Sequence, residues 1–408
     1  MSLNIGLDLC DDYVTGYLYE DKLLLNVPAV ICREKKDDLW YIGESAYRLA
    51  LSGKGVLTDK LLSLLKKGGT STIARRAYTA EQLITRLISA LLYQMLNGSS
   101  FESIDRLVIS LHNADKAEMD SIVNAAEAAG VRRDVIGIIS HSDAFVYYTL
   151  AQSKDLYANM TALFDLSDEA LSFYRMKTVR GISRNSVVVE GSDLEENFRI
   201  GILKKDAGSE LGDRIMTDAA KRCLGGDIYS SVILTGKGFE RTDWAKSFIE
   251  FVCRKRRVIY ENGLFAIGAA IHAAALSEGS ELPYLVFSDS SIAAEVSMQV
   301  SIGEHESKLV LVPAGRQWYG SKAYAEVLPH NQDYIDIDIS PVDKFKGRKT
   351  VRIMLDQFEK RPDRCTKVSI TVEFEDQEKM KITVQDLGFG DIFPASGARV
   401  CESVNLYA

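Results

Sequence analysis

The stretch NIGLDLCDDYVTG, residues 4–16, decides the fold. It opens as an apolar strand carrying one carboxylate, Asp8, and then places Cys10, Asp11 and Asp12 where the chain must turn before a second strand starts at Tyr13. Asp is a turn former because its side chain bonds nearby backbone groups, so the stretch predicts a hairpin with acids at its bend. The same pattern returns later: NIGLDLCDDYVTGYLYE from Asn4 is echoed by TALFDLSDEALSFYRMK from Thr161. Two such hairpins, each followed by helical material, predict two α/β halves of common ancestry.

Working outward, AEQLITRLISALLYQMLNG spaces Leu83, Ile84, Leu87, Ile88, Leu91, Leu92 and Met95 as one helical face and stops at Asn97-Gly98. DRLVISLH reads as a buried strand, followed by a helix that Asn113 would cap and Gly130 would end. VIGIISHSDAFVYYTLAQ gives a further strand and helix. In the second half, GSELGDRIMTDAAKRCLGG predicts a short helix, SSVILTGKGF a buried strand entering a glycine turn, and GLFAIGAAIHAAAL a helix. That last helix is so rich in Ala and Gly that something must approach its backbone closely.

From Ala293 the texture changes to alternation, as in EVSMQVSI, YIDIDIS, KVSITVEF and KMKITVQD, which predicts half-buried antiparallel strands. SEGSELPYLVFSDSS is polar except for Leu285, Val286 and Phe287 and reads as a linker with an apolar dock. The predicted organisation is therefore an α/β domain over 1–279, a linker over 280–291, a β-rich domain over 292–395 and a tail over 396–408.

Bulk properties narrow the function. The chain has 408 residues, enough for two or three domains, and 49 basic against 57 acidic side chains give a net charge of −8. That balance disfavours nucleic acid and anionic membranes as partners. The run Arg254 to Arg257 is short and reads as a solvated helix end. No apolar run approaches the roughly 20 residues of a membrane span and the start lacks the marks of a secretory signal, so a cytoplasmic location is expected. The six cysteines include no Cys-x-x-Cys pair and read as reduced thiols. The five histidines show no i, i+4 pairing, which argues against a histidine metal site.

In their order along the chain, these segments resemble a DnaK-type heat-shock chaperone of the actin-like ATPase superfamily. IGLDLCDDYVTG resembles the first phosphate loop, ALFDLSDEALSF the second, VILTGKGF the adenosine segment and AIGAAIHAAAL the second connecting helix. LPYLVF resembles the interdomain linker, and LPHNQDYIDIDIS with KVSITVEFEDQEKMKITVQDLGFG the peptide-binding β-sandwich. The resemblance implies a two-lobed actin-like (ribonuclease-H-like) ATPase domain followed by an antiparallel β-sandwich. The chain departs from that family in size at two places: only a short helix precedes VILTGKGF, where the family inserts a whole subdomain, and no helical lid is expected after Gly390.

Carried onto this chain, the family's site implies ATP or ADP with magnesium. Asp8 and Asp165 match the carboxylates that hold the hydrated ion, Lys60 matches the catalytic lysine, and Gly236, Lys237 and Gly238 fall on the adenosine side. Two departures weaken that site. The family's glycines and threonines at the bends are replaced by Cys10, Asp11 and Asp12, and by Ser167, Asp168, Glu169 and Ala170. A like-charge contact at about 4 Å costs on the order of 4 kcal/mol at an effective dielectric near 20, so nucleotide binding should be weak or absent. The family's magnesium-positioning glutamate also falls at Ser142. The expectation is a pseudo-ATPase acting as a binding or scaffold protein; the alternative is an active ATP-dependent peptide-binding chaperone. The implied partner is a protein or extended apolar peptide, met by Tyr324, Leu328, Tyr334 and Ile335, near Trp318 and Tyr319.

Overall fold

A computed structural model describes residues 2–37, 39–167, 170–181, 184–196, 198–280, 282–303, 305–343 and 345–407. The protein is of mixed α/β class and divides into two compact units, Met1–Ser288 and Asp289–Ala408.

In the first unit, β1 (Asn4–Leu9), β2 (Tyr13–Leu18) and β3 (Leu23–Pro28) run antiparallel in succession. A small sheet of β4 (Ile31–Glu34), β5 (Trp40–Ile42) and β6 (Gly55–Thr58) packs with α1 (Gly43–Leu51). Then come α2 (Leu61–Lys66) and the hairpin β7 (Thr70–Ile73) with β8 (Arg76–Thr79). Next, α3 (Ala80–Met95) starts at a capping box in which Thr79 accepts from the Gln82 amide, and it buries the seven apolar residues whose spacing predicted it. Left-handed Asn97 and Gly98, with φ of 49° and 79°, follow its end.

The segments β9 (Arg106–Leu111), α4 (Lys116–Ala128), β10 (Ile136–Ser140) and α5 (His141–Leu150) complete the first half. Its sheet has the order β10-β9-β1-β2-β3, with β1, β9 and β10 parallel. Because β1 is covered on both faces, all six of its residues are buried, which explains an apolar run without alternation. Asn113 does not cap α4; Asp115 does, in a capping box with Glu118, since the chain first passes through Asn113 at a φ of 46°.

The second half repeats the plan with β11 (Met160–Leu166), β12 (Leu171–Val179), β13 (Asn185–Asp193), α6 (Asp206–Cys223), β14 (Tyr229–Thr235), α7 (Lys246–Val252), β15 (Arg257–Tyr260), α8 (Leu264–Glu278) and β16 (Tyr284–Phe287). The order is β15-β14-β11-β12-β13-β16, the same arrangement with one edge strand added. Even the register repeats: Asp8 faces Thr15 and Ser110, and Asp165 faces Ser172 and Thr235. The sequence echo is thus matched by equivalent positions of the two carboxylates. At 18 residues, α6 is longer than expected.

What approaches the Ala- and Gly-rich α8 is β1 on one side and α5 on another. A Cβ on Gly6 would lie 2.1 Å from the Ala266 carbonyl oxygen, and one on Gly268 would lie 2.0 Å from that of Ala144. Such contacts leave room for hydrogen alone. The apolar dock in the expected linker is β16, which pairs parallel with β13.

The second unit holds β17 (Ala294–Ile302), β18 (His305–Val312), β19 (Lys322–Val327), β20 (Tyr334–Pro341), β21 (Lys349–Met354), β22 (Lys367–Phe374), β23 (Lys379–Gly388) and β24 (Arg399–Asn405). They form two four-stranded antiparallel sheets, β18-β17-β20-β21 and β19-β22-β23-β24. The alternation predicted from sequence is seen in buried Ile335, Ile337 and Ile339 on β20 and Val368, Ile370 and Val372 on β22. The expected tail supplies, within residues 396–407, edge strand β24 and the fully buried Leu406.

No helix among the described residues is long and apolar enough to cross a membrane, and no disulfide joins the six cysteines. Arg254 to Arg257 lead from the end of α7 into β15, and Arg254 pairs with Glu250.

Candidate functional site

The two hairpin bends of the first unit face one cleft. It is lined by Asp8, Cys10, Asp12 and Tyr13 from the first hairpin, Asp165 and Ser167 from the second, and Gly236 and Lys237 after β14. The carboxyl ends of parallel strands converge here, where open α/β sheets place their ligands. Its volume is about 80 Å³, below the roughly 300 Å³ at which small-molecule pockets begin.

At the first bend the Cys10 amide donates to the Tyr13 carbonyl at 3.0 Å, closing a tight turn. Asp11 points away from the cleft. Its carboxylate accepts from the amides of Leu62 at 2.7 Å and Ser63 at 3.1 Å, and from the Ser63 hydroxyl, so it holds the start of α2. The expectation that all the added acids crowd a phosphate site is corrected for Asp11, because unsatisfied helix amides are a better partner for it than the cleft. Asp12 does line the cleft. Lys60 is exposed, at a left-handed φ of 52° just before α2, and does not line the cleft.

At the second bend the Ser167 hydroxyl bonds within its own turn, with the Ala170 amide at 3.2 Å and the Ala170 carbonyl at 3.1 Å. Asp168 and Glu169 lie outside the described residues. Gly236 has a φ of 88°, and a Cβ there would sit 2.4 Å from Asp165 Oδ1. A Cβ on Gly238 would meet the Leu166 side chain at 2.4 Å, so both glycines are required by close packing. The Lys237 ammonium, just after β14, sits 4.6 Å above the centre of the Tyr13 ring at the start of β2.

Deeper in, Asp8 meets a partner that the spacing of the histidines did not reveal. His141 Nε2 stands 2.8 Å from Asp8 Oδ1, and Cys10 Sγ lies 3.8 Å from Asp8 Oδ2. The His141 ring lies flat on Phe265, centroid to centroid 3.7 Å at 10°, which fixes where its nitrogens point. The ring of His112 is 5.3 Å from that of His141, and its Nε2 is 3.0 Å from Asp193 Oδ1. Tyr174 Oη is 3.2 Å from His112 Nδ1, and the Ser172 hydroxyl donates to Asp193 at 2.6 Å.

Burial, and then the neighbouring His141, push the His112 imidazole below its ordinary value against the pull of Asp193. Burial opposes the charge on Asp193, but the Ser172 hydroxyl and His112 outweigh it and hold that carboxyl below the usual range. The result is two acid–histidine pairs side by side, drawn from β1, α5, β13 and the turn after β9. The one local signal was the position of His141 at the end of a parallel strand, where β10 gives way to α5.

These residues do not fit the hydrated magnesium and triphosphate that the resemblance implies. Magnesium prefers oxygen ligands throughout, whereas Asp8 is flanked by an imidazole nitrogen and a sulfur. Cys10, Asp11 and Asp12 at the first bend carry no hydroxyl, the Cys10 amide is engaged with Tyr13, and the Ser167 hydroxyl bonds within its own turn.

The expected peptide contacts divide. Tyr324 and Leu328 are 57% and 44% exposed on and just beyond β19, an edge strand of its sheet. Tyr334 is half-buried under the Arg352 guanidinium at 3.8 Å. Ile335 is 1% exposed and belongs to the core, because alternation on β20 turns it inward; it cannot meet a peptide. Trp318 is likewise buried at 6%.

No curated protein matches the chain. Residues 291–406 match a domain of unknown function, DUF8552. Residues 12–289, more than half of the 408, match the C-terminal part of a family of unknown function, DUF5716, and the chain belongs to that family.

Proposed function

We propose that the first unit is a two-lobed actin-like domain of the DnaK type that no longer hydrolyses ATP, and that the protein works as a binding or scaffold protein. Two sheets of one order with Asp8 and Asp165 at equivalent positions support the architecture. The observation that carries the loss of turnover is the pairing of Asp8 with His141 in a cleft of only about 80 Å³. A carboxylate flanked by an imidazole nitrogen and a sulfur is not the all-oxygen seat that hydrated magnesium prefers.

Calorimetry with ATP and ADP at millimolar concentration, with magnesium, tests the reading alongside a turnover assay. Absent or weak heat and no phosphate release are expected. Steady turnover abolished by Asp165→Ala would overturn the reading in favour of an active chaperone.

The second unit, in this proposal, is a β-sandwich that takes extended apolar segments by strand addition along β19. An edge strand offers unpaired backbone groups, and Tyr324 and Leu328 flank it in the open. Binding should be weak and rapidly exchanging. A peptide array with no preference for apolar segments would remove the client role.

A further inference from the structure

We propose that Asp8, Cys10 and His141 form a binding site for a divalent transition metal ion of the zinc class. One carboxylate oxygen, one sulfur and one imidazole nitrogen all lie within 4.8 Å of one another, with Asp8 and His141 buried and Cys10 half-buried. Zinc bonds of about 2.0–2.3 Å in a tetrahedron separate neighbouring ligand atoms by about 3.4 Å. His141 Nε2 lies 2.8 Å from Asp8 Oδ1 and Cys10 Sγ lies 3.8 Å from Asp8 Oδ2, so the imidazole and the sulfur each face one oxygen of the same carboxylate at separations either side of that value.

Two of the three ligands sit on rigid elements, Asp8 in the centre of a sheet and His141 at the first residue of α5. Phe265 holds the imidazole plane, and Cys10, on the bend, supplies the small adjustment. A thiolate and a carboxylate neutralise the ion, and the neutral imidazole completes three protein ligands. The fourth position opens to the cleft, whose other acids, Asp12, Asp165 and Glu240, outweigh the Lys237 ammonium that also lines it and leave a negative field that favours a cation. Sulfur and nitrogen select zinc, cobalt and their neighbours over magnesium. The site needs no nucleotide, although it draws on the same Asp8–His141 pair as the preceding proposal.

The full chain carrying Cys253→Ser and Cys401→Ser, which removes the two exposed thiols, is titrated with zinc by calorimetry and with cobalt by absorption. One equivalent is expected, with a thiolate-to-cobalt charge-transfer band and an affinity that rises with pH as the thiol proton is displaced. Cys10→Ser should abolish the band and weaken zinc at least about 100-fold while leaving the circular dichroism of the metal-free chain unchanged. His141→Gln should weaken zinc similarly, and excess magnesium should displace nothing. Failure to bind, binding that survives Cys10→Ser, or displacement by magnesium would each overturn the proposal, whatever the nucleotide experiments return.

Discussion

Nε2 of His141 stands 2.8 Å from Oδ1 of Asp8, although 133 positions separate the two residues along the chain. Both are buried, so truncation of the acid leaves a buried imidazole without its carboxylate acceptor. Asp8→Ala should destabilise the metal-free protein by about 1–3 kcal/mol and Asp8→Asn, which keeps an acceptor oxygen, by less. Urea midpoints check this; an Asp8→Ala value no lower than that of a surface change such as Asp243→Ala would show that the pair contributes nothing.

Gly6 faces the backbone of α8, where a Cβ would come within 2.1 Å of the Ala266 carbonyl oxygen and 2.3 Å of the Ala270 amide nitrogen. Backbone on both sides cannot yield as a side-chain tip can. Gly6→Ala should cost about 3 kcal/mol or more, or fail to give soluble protein. Gly201→Ala, with nothing within 4 Å of the added methyl, serves as the neutral comparison in thermal unfolding.

In the second unit, Arg361 grips Asp386 through two bonds, Nη1 to Oδ1 at 2.9 Å and Nη2 to Oδ2 at 2.8 Å, with both side chains almost wholly buried. Burial opposes the charge on Asp386, but Arg361, Ser396 and the Gly388 amide outweigh it and hold the carboxyl well below the usual range. A carboxyl depressed in the folded state gives stability that is full above its unfolded value of about 3.9 and is lost as pH falls through the lower folded value. Arg361→Ala, by stranding the buried carboxylate, should destabilise the unit by about 3–5 kcal/mol at neutral pH and reduce the loss of stability on acidification. Denaturant titrations at neutral and acid pH measure both effects.

His272 lies flat against Tyr147 at 4.2 Å, and its Nδ1 has no hydrogen-bond partner among the described residues. Burial holds its imidazole at about 4. The unfolded chain, with an ordinary histidine near 6.5, then takes up the proton first. Stability from this residue is full above about 6.5 and lost as pH falls toward 4. His272→Phe keeps the stacked ring without the titration. Its urea midpoint should fall less than the parent's between pH 7 and pH 5, and parallel declines would refute the assignment.

Much of the scaffold was legible in the chain itself, because period and turn chemistry act over a few residues. The echo of the two hairpins, the α3 face from Leu83 to Met95, the glycines of α8 and the alternation of β20 and β22 each state a local rule that the fold obeys. Where neighbouring residues compete for one local role, spacing does not decide between them: Asp115, not Asn113, caps α4. Ile335, which the resemblance places at the peptide surface, is turned into the core by its own alternation on β20.

The sequence alone determined the strongly periodic segments, such as β1, α3, β20 and β22, and that the two hairpins repeat, since those depend on the spacing of apolar groups against water. Only the tertiary structure decided that Asp11 serves α2, that Asp8 meets His141 and Cys10, and that His112 meets Asp193. Each of those meetings joins side chains from separate elements, and a carboxylate takes whichever donor the packing of those elements brings within about 3 Å, a choice that no local pattern encodes.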